Sequence, residues 1–168
     1  MLDILIHDKL DDLLKGYVGV HSRDTLPPIT KFPASLIANI DTSDMRGSHW
    51  VGIYFDKFGR ADYFDSYGLP PLYTEFLEYL QKYSKLGFEY NKIALQCKEC
   101  VTCGEYASAF IILRTFGWSF AEFIRLFSTN THTNDYIIKS LHNALSTRHG
   151  VQKLAKDLRP KFQDSKRR

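Results

Sequence analysis

The residue best placed for nucleophilic chemistry is Cys103, which precedes Gly104 at the head of the apolar run GEYASAFIILRTFG. A thiol at a helix N-terminus feels the positive end of the aligned peptide dipoles, which lowers its pKa and favours the thiolate. A thiolate that attacks an amide also needs a proton for the leaving amine and donors for the charge that develops on the carbonyl oxygen. The stretch HWVGIYFDKFGRADYFDSYG, residues 49–68, offers the proton donor. It reads as a hairpin about the turn DKFG (56–59), with Gly59 free to take a positive φ. Strands on either side of that turn pair residues whose numbers sum to about 114–116, and His49 and Asp65 sum to 114. Their Cβ atoms come within roughly 5 Å where the register sets them opposite, which requires an odd loop or a bulge. Asp65 is then placed to orient the His49 imidazole and to stabilise its charged form. For the oxyanion, the backbone N–H of Cys103 supplies one donor, and Gln96, seven residues upstream at a strand end, supplies a side-chain amide. Taken singly, a His–Asp pair, a cysteine and a glutamine are each more often structural. The joint order is far more specific: His-Trp opening a strand, an acid sixteen residues on, then Gln-x6-Cys-Gly opening an apolar helix.

All three cysteines lie in LQCKECVTCGEY, as C-x-x-C-x-x-C at 97, 100 and 103. That spacing resembles part of a zinc or iron–sulfur site, which needs a fourth ligand from His132, His142 or His149. This is the non-enzymatic alternative, a metal- or nucleic-acid-binding module. Without a secretory signal, free thiols are expected in preference to a disulfide framework.

These residues must be positioned by elements that the patterning makes legible. Met1–Lys15 has apolar residues at helical spacing, while GYVGVHSRDTLPPITKFP, broken by three prolines, reads as an irregular surface loop. ASLIANI (34–40) is a buried-strand candidate, and residues 70–84, with Leu72, Phe76, Tyr79, Leu80 and Tyr83, form an amphipathic helix. GFEYNKIALQ (87–96) offers another strand. The run after Cys103 is apolar on most sides, so it is expected as a buried central helix with Gly117 as its stop. Ser119 and Glu122 form a capping box for a helix to about Phe127, and TNDYIIKSLHNALS gives a last helix capped by Thr133 or Asn134. TNTHTNDY also reads as a polar loop over one edge of the site. The fold class is α+β: a small, mostly antiparallel sheet flanked by helices, with the nucleophile at the N-terminus of a buried central helix.

The 168 residues, 44% hydrophobic and 14% aromatic, fit one domain, assigned to residues 1–150, followed by a basic tail over 151–168. Lys153–Arg168 carries seven basic residues and two acids, a net +5, which leaves the remaining chain at −2 of the formal +3. That tail is either solvated or a salt-sensitive contact for DNA. No run approaches about 18 apolar residues, so no membrane span is expected. MLDILIHDKLDDLLKG has acids where a secretory signal has bases.

The order His49, Asp65, Gln96, Cys103-Gly104 resembles that of the adenovirus endopeptidase (adenain-like) family, and more distantly the ubiquitin-like-protein proteases that share its fold. The seven-residue interval from Gln96 to Cys103 matches the adenovirus pattern, and the SUMO-protease pattern is one residue shorter. YVGVHSRDTLPPI and ASLIANIDTSDMRGSHWVGIYF also resemble its early loop and its histidine strand, so the likeness covers roughly residues 1–130. Similar proteases occur in virophages and in virus-like transposons. The resemblance implies Cys103 as nucleophile, His49 as base and acid, Asp65 as orienting carboxylate where the adenovirus enzyme has glutamate, Gln96 in the oxyanion hole, and Trp50 packed by the histidine. It implies a cysteine endopeptidase that cleaves viral or element-encoded precursor (capsid) proteins at small residues, often glycine. No metal or organic cofactor is implied. Action would be intracellular, in a viral factory, host nucleus or virion, as a monomer without membrane contact. The adenovirus enzyme takes a disulfide-linked viral peptide and DNA as activators. Cys97 or Cys100 would receive such an activating peptide here, against a default in which both are spectators, and the basic tail would contact DNA. The alternative within the same chemistry is an isopeptidase for ubiquitin-like proteins.

Overall fold

The computed structural model describes residues 14–157. The helix expected over Met1–Lys15 therefore lies outside the described residues apart from its last two positions, as do residues 158–168 of the tail.

The hairpin forms as its turn chemistry requires. Strands β3 (Trp50–Phe55) and β4 (Ala61–Phe64) pair antiparallel from Phe55↔Ala61 to Gly52↔Phe64. The five-residue loop between them is organised by Asp56, whose Oδ1 accepts from the backbone N–H of Phe58 at 2.8 Å and of Arg60 at 3.0 Å. Gly59 takes φ 84°, a conformation that a side chain would strain. Paired numbers sum to 116. By parity His49 and Asp65 fall on one side of the ribbon, offset diagonally and not directly opposite. Beyond Gly52↔Phe64 the two strands part, and Val51 and Trp50 pair with β2 alone.

Strand β2 (Ala34–Asn39), buried throughout, runs antiparallel to β3 on its other side. At the edges β1 (Tyr17–Ser22) lies parallel to β2, and β5 (Phe88–Tyr90) lies parallel to β4, giving the order β1-β2-β3-β4-β5. The antiparallel centre matches expectation. The loop expected over 16–33 does not hold at its start, because Tyr17–Ser22 is strand. It is a half-exposed edge with a register shift between Tyr17 and Val20, so period-two patterning is missing from its sequence. The strand expected over 87–96 stops at Tyr90, where the Asn91 side chain turns to the backbone of Asp65.

Side chains alternate across the sheet to make two cores. Leu36, Ala38, Val51, Ile53, Phe55, Ala61 and Tyr63 pack against Phe76, Tyr79 and Leu80 of helix α1 (Thr74–Tyr83). On the other face Ile37, Tyr54 and Phe64 pack against helix α2 (Cys103–Thr115) and the helices beyond it. α2 is buried on nearly every side, as its uniformly apolar sequence requires. Its Phe110 stacks on Phe64 with ring centres 5.0 Å apart. A Cβ built on Gly52 would stand 2.6 Å from Phe110 Cδ1, so α2 crosses β3 at the one position of that strand without a side chain. Gly117, at φ 91°, follows the end of α2. The Ser119–Glu122 capping box opens α3 (Phe120–Ile124), shorter than expected. Helix α4 (Thr131–Leu145) is capped by Asn130, whose side chain accepts from Thr133 N at 3.1 Å, and not by Thr133 or Asn134. A further helix, α5 (Arg148–Asp157), seats Val151 in the core. Among the described residues no helix is long and apolar enough to cross a membrane.

Candidate active site

His49 lies just before β3 and Asp65 just after β4, at the end where the two strands separate. His49 Nε2 and Asp65 Oδ1 are 3.0 Å apart, and both side chains are buried. Asp65 is held in three ways. Its Oδ1 also accepts from Tyr67 N at 2.7 Å, its backbone N–H donates to Asn91 Oδ1 at 3.0 Å, and its carbonyl accepts from Asn91 Nδ2. The Tyr67 ring stacks on His49 at 4.8 Å and 27°. Cys103 lies beside the same ring, close enough for the thiol and His49 to shift each other's pKa.

Cys103 is the first residue of α2 and is 9% exposed. The first N–H groups of a helix have no intrahelical partner, so they point at whatever occupies its N-terminus. Burial pushes the thiol up. The hydrogen bond to His49, the backbone N–H of Trp50, the His49 charge and the Gly104 N–H together outweigh that and bring it below its ordinary value. Burial opposes the charge on His49 as well, but its hydrogen bonds and charge interactions with Asp65 and Cys103 win and hold it up at about 9. Each partner thus favours the other's charged form.

Gln96 is buried, and every one of its polar positions is used. Oε1 accepts from Ser66 Oγ at 2.7 Å, while Nε2 donates to Tyr67 Oη at 3.2 Å and to the carbonyl of Cys100. Ser66 also fixes the segment from behind, its carbonyl accepting from Leu95 N at 2.8 Å and Gln96 N at 3.0 Å. All four residues expected at the site, His49, Asp65, Gln96 and Cys103, are thus drawn into one connected cluster. Trp50, half-buried, follows His49 directly and reaches the thiol through its backbone N–H.

Three side chains of this cluster lack a sequence motif. Tyr67 stands two residues after Asp65, in the turn that follows β4. Asn91 and Asp135 carry no local signal. Asp135, near the start of α4, accepts from Cys97 N at 2.8 Å and from Thr102 Oγ1 at 2.5 Å. Its neighbour Asn134 donates to Leu95 O at 3.1 Å. The segment read as a polar loop over the site is in part the start of α4, which braces the loop that leads to Cys103.

Cys97 and Cys100 form a disulfide, with Cα atoms 5.3 Å apart. The expectation of free thiols therefore holds for Cys103 alone. The three-residue spacing brings two sulfurs together on one turn, while the start of α2 carries the third to His49. The sulfurs of C-x-x-C-x-x-C do not make a single cluster.

No protein-family model and no curated protein matches the chain. Among solved structures it is similar to a selenomethionine crystal structure of the ASFV pS273R protease, at 22% identity and a TM-score of 0.47. The match covers 79% of this chain and 54% of that one, so this chain spans about half the length of that protein. It is also similar to the central domain of the uncharacterized Lpg1148 protein from Legionella pneumophila, at 14% identity and a TM-score of 0.41, over 78% of this chain and 88% of that one.

Proposed function

We propose that this chain is a cysteine endopeptidase in which Cys103 is the nucleophile, His49 the acid and base, Asp65 the orienting carboxylate and Gln96 an oxyanion donor. One observation carries the reading: a single imidazole stands between a buried carboxylate at 3.0 Å and a thiol at the head of a buried helix, and the thiol's pKa is lowered by that contact. In this mechanism the Cys103 thiolate attacks the scissile carbonyl, and the tetrahedral oxyanion accepts from α2 backbone N–H groups and Gln96 Nε2. Both Nε2 hydrogens are engaged at rest, so the oxyanion replaces one acceptor; Tyr67 Oη, the more distant at 3.2 Å, is the easier to displace. His49 then gives its proton to the leaving amine, and afterwards takes one from the water that hydrolyses the acyl-enzyme.

The substrate class rests on the sequence resemblance: precursor proteins of a virus or virus-like element, cut at small residues, inside the producing cell or virion. The basic C-terminal segment is the part suited to DNA, and the enzyme acts as a monomer. The test is hydrolysis of peptides with small residues at the cut. Cys103→Ala is expected to lower kcat by about 10⁶-fold, as loss of a triad nucleophile does. Iodoacetamide is expected to label Cys103 first and to abolish turnover in step. Cleavage retained by Cys103→Ala, or efficient release of a ubiquitin-like protein with no endopeptidase activity, overturns the reading.

A further inference from the structure

Cys97 and Cys100 have no part in the proposed mechanism, yet the fold brings them to a histidine from another element. Their sulfurs and a ring nitrogen of His132, in the first turn of α4, all lie within 4.8 Å of one another. The N–H of Cys100 donates to the carbonyl of Cys97 at 3.2 Å, closing a single turn that presents both sulfurs on one side. Glu99 Oε2 stands 3.6 Å from Cys97 Sγ. Two thiolates at C-x-x-C spacing with an imidazole from elsewhere suit a thiophilic divalent cation, above all Zn²⁺.

The placement of His132 is not loose. Asp135 follows it by three residues, which puts both on one face of α4. Asp135 holds Cys97 N and Thr102 Oγ1, and Asn134 holds Leu95 O, so the start of α4 is stapled to the cysteine turn at three points. Tetrahedral Zn²⁺ with sulfurs at about 2.3 Å sets those sulfurs about 3.7 Å apart, wider than the bonded pair, so reduction must precede metal binding. Cys103 is not available to this group, because it is committed to His49.

We propose that Cys97, Cys100 and His132 form a Zn²⁺ site when the cysteine pair is reduced, and that the disulfide is the same centre's oxidised, metal-free form. The proposal is independent of the protease reading. The reductant is a thiol of the glutathione class: two such thiols become one disulfide, and their two electrons and two protons pass to the cysteine sulfurs. Zn²⁺ then displaces both protons, making two Zn–S bonds and one Zn–N bond with no further change of oxidation state.

Co²⁺ is the probe. The full chain, reduced with a phosphine, freed of metal and kept without oxygen, is titrated with Co²⁺ and followed by absorbance. One equivalent is expected to give a near-ultraviolet thiolate-to-cobalt band and the visible bands of a tetrahedral ion, all removed by Zn²⁺. Cys103→Ala is expected to give the same spectrum, and the oxidised chain none. His132→Ala, an exposed position, is expected to weaken Co²⁺ binding by about 100-fold, the upper end of what even supporting ligands contribute. The inference fails if the reduced, folded wild-type chain gives no thiolate band, if His132→Ala binds with unchanged affinity, or if Cys103→Ala abolishes the band.

Discussion

His49 carries two opposed influences, and their balance sets how the site answers pH. Burial favours the neutral ring, while Asp65 and Cys103 favour the cation and win, to about 9. In the proposed mechanism the imidazolium that protonates the leaving amine is therefore present up to about pH 9 and lost above it. On the acid side the Cys103 thiolate is lost once pH falls through its lowered value. The expected profile of kcat/KM is a bell whose alkaline limb lies near 9. In Asp65→Asn that limb is expected to move down towards 6.5, with kcat lower by about 10²-fold or more. A limb that stays near 9 in the variant would mean that Asp65 does not support the charge. Stability follows the same sign: because the folded value exceeds the unfolded 6.5, what charged His49 contributes is full below 6.5 and lost as pH rises through 9. The clustering of His49, Asp65, Gln96 and Cys103 was legible because each has a chemical reason to occur at its spacing. Asn91 and Asp135 were not, since an amide or a carboxylate that braces backbone from a distant element leaves no mark in its own neighbourhood.

The distance between His49 and Cys103 is set by two elements that meet at Gly52. α2 passes so close to β3 that a methyl group there would lie 2.6 Å from Phe110. Phe110 is pinned by Phe64 at 5.0 Å and Phe120 at 5.3 Å, so it has little room to give. Gly52→Ala is expected to cost about 1–3 kcal/mol through overpacking. It is also expected to reduce kcat by about 10²-fold, because a displacement of about 1 Å between reacting groups has that effect. Parallel urea unfolding and kinetic measurements check it. A stability loss with unchanged kcat would show that the strain is absorbed away from the site. Sequence pattern made α2 legible, since no solvated helix is apolar on so many sides, and it made β2 legible as a short buried run and β3 and β4 through the turn at Gly59. The misses are elements whose placement is decided by their neighbours. β1 is a half-exposed edge strand that exists by pairing with β2. The cap of α4 is Asn130 among several residues able to cap, because the core claims Asn134 for Leu95 O and Ser128 O.

Across the molecule, α2 is joined to the sheet by one ionic contact as well as by apolar packing. The Arg114 guanidinium bonds Asp62 on β4 through Nε at 2.8 Å and Nη2 at 2.6 Å, lies over the Tyr54 ring 4.4 Å from its centre, and caps the carbonyl of Trp118. Burial lifts the Asp62 carboxyl to about 6 even though Arg114 pulls it down. A folded value above the unfolded 3.8 means that the native state binds this proton more tightly. The contribution of Asp62 to stability is therefore most favourable at low pH and declines as pH rises through 3.8 to about 6. Replacing Arg114 by leucine removes the counter-charge that lowers Asp62 and leaves a buried, unpaired carboxylate. Arg114→Leu is expected to lose about 3–5 kcal/mol at neutral pH, with much of the loss recovered well below pH 6, where Asp62 takes up a proton. The double variant Asp62→Leu/Arg114→Leu is expected to be far closer to wild type, because neither charge is then buried alone. Urea midpoints for the three chains at the two pH values decide it. A loss in Arg114→Leu that is the same at both pH values would assign the contribution of Arg114 to its packing on Tyr54 and its bond to Trp118, and not to charge.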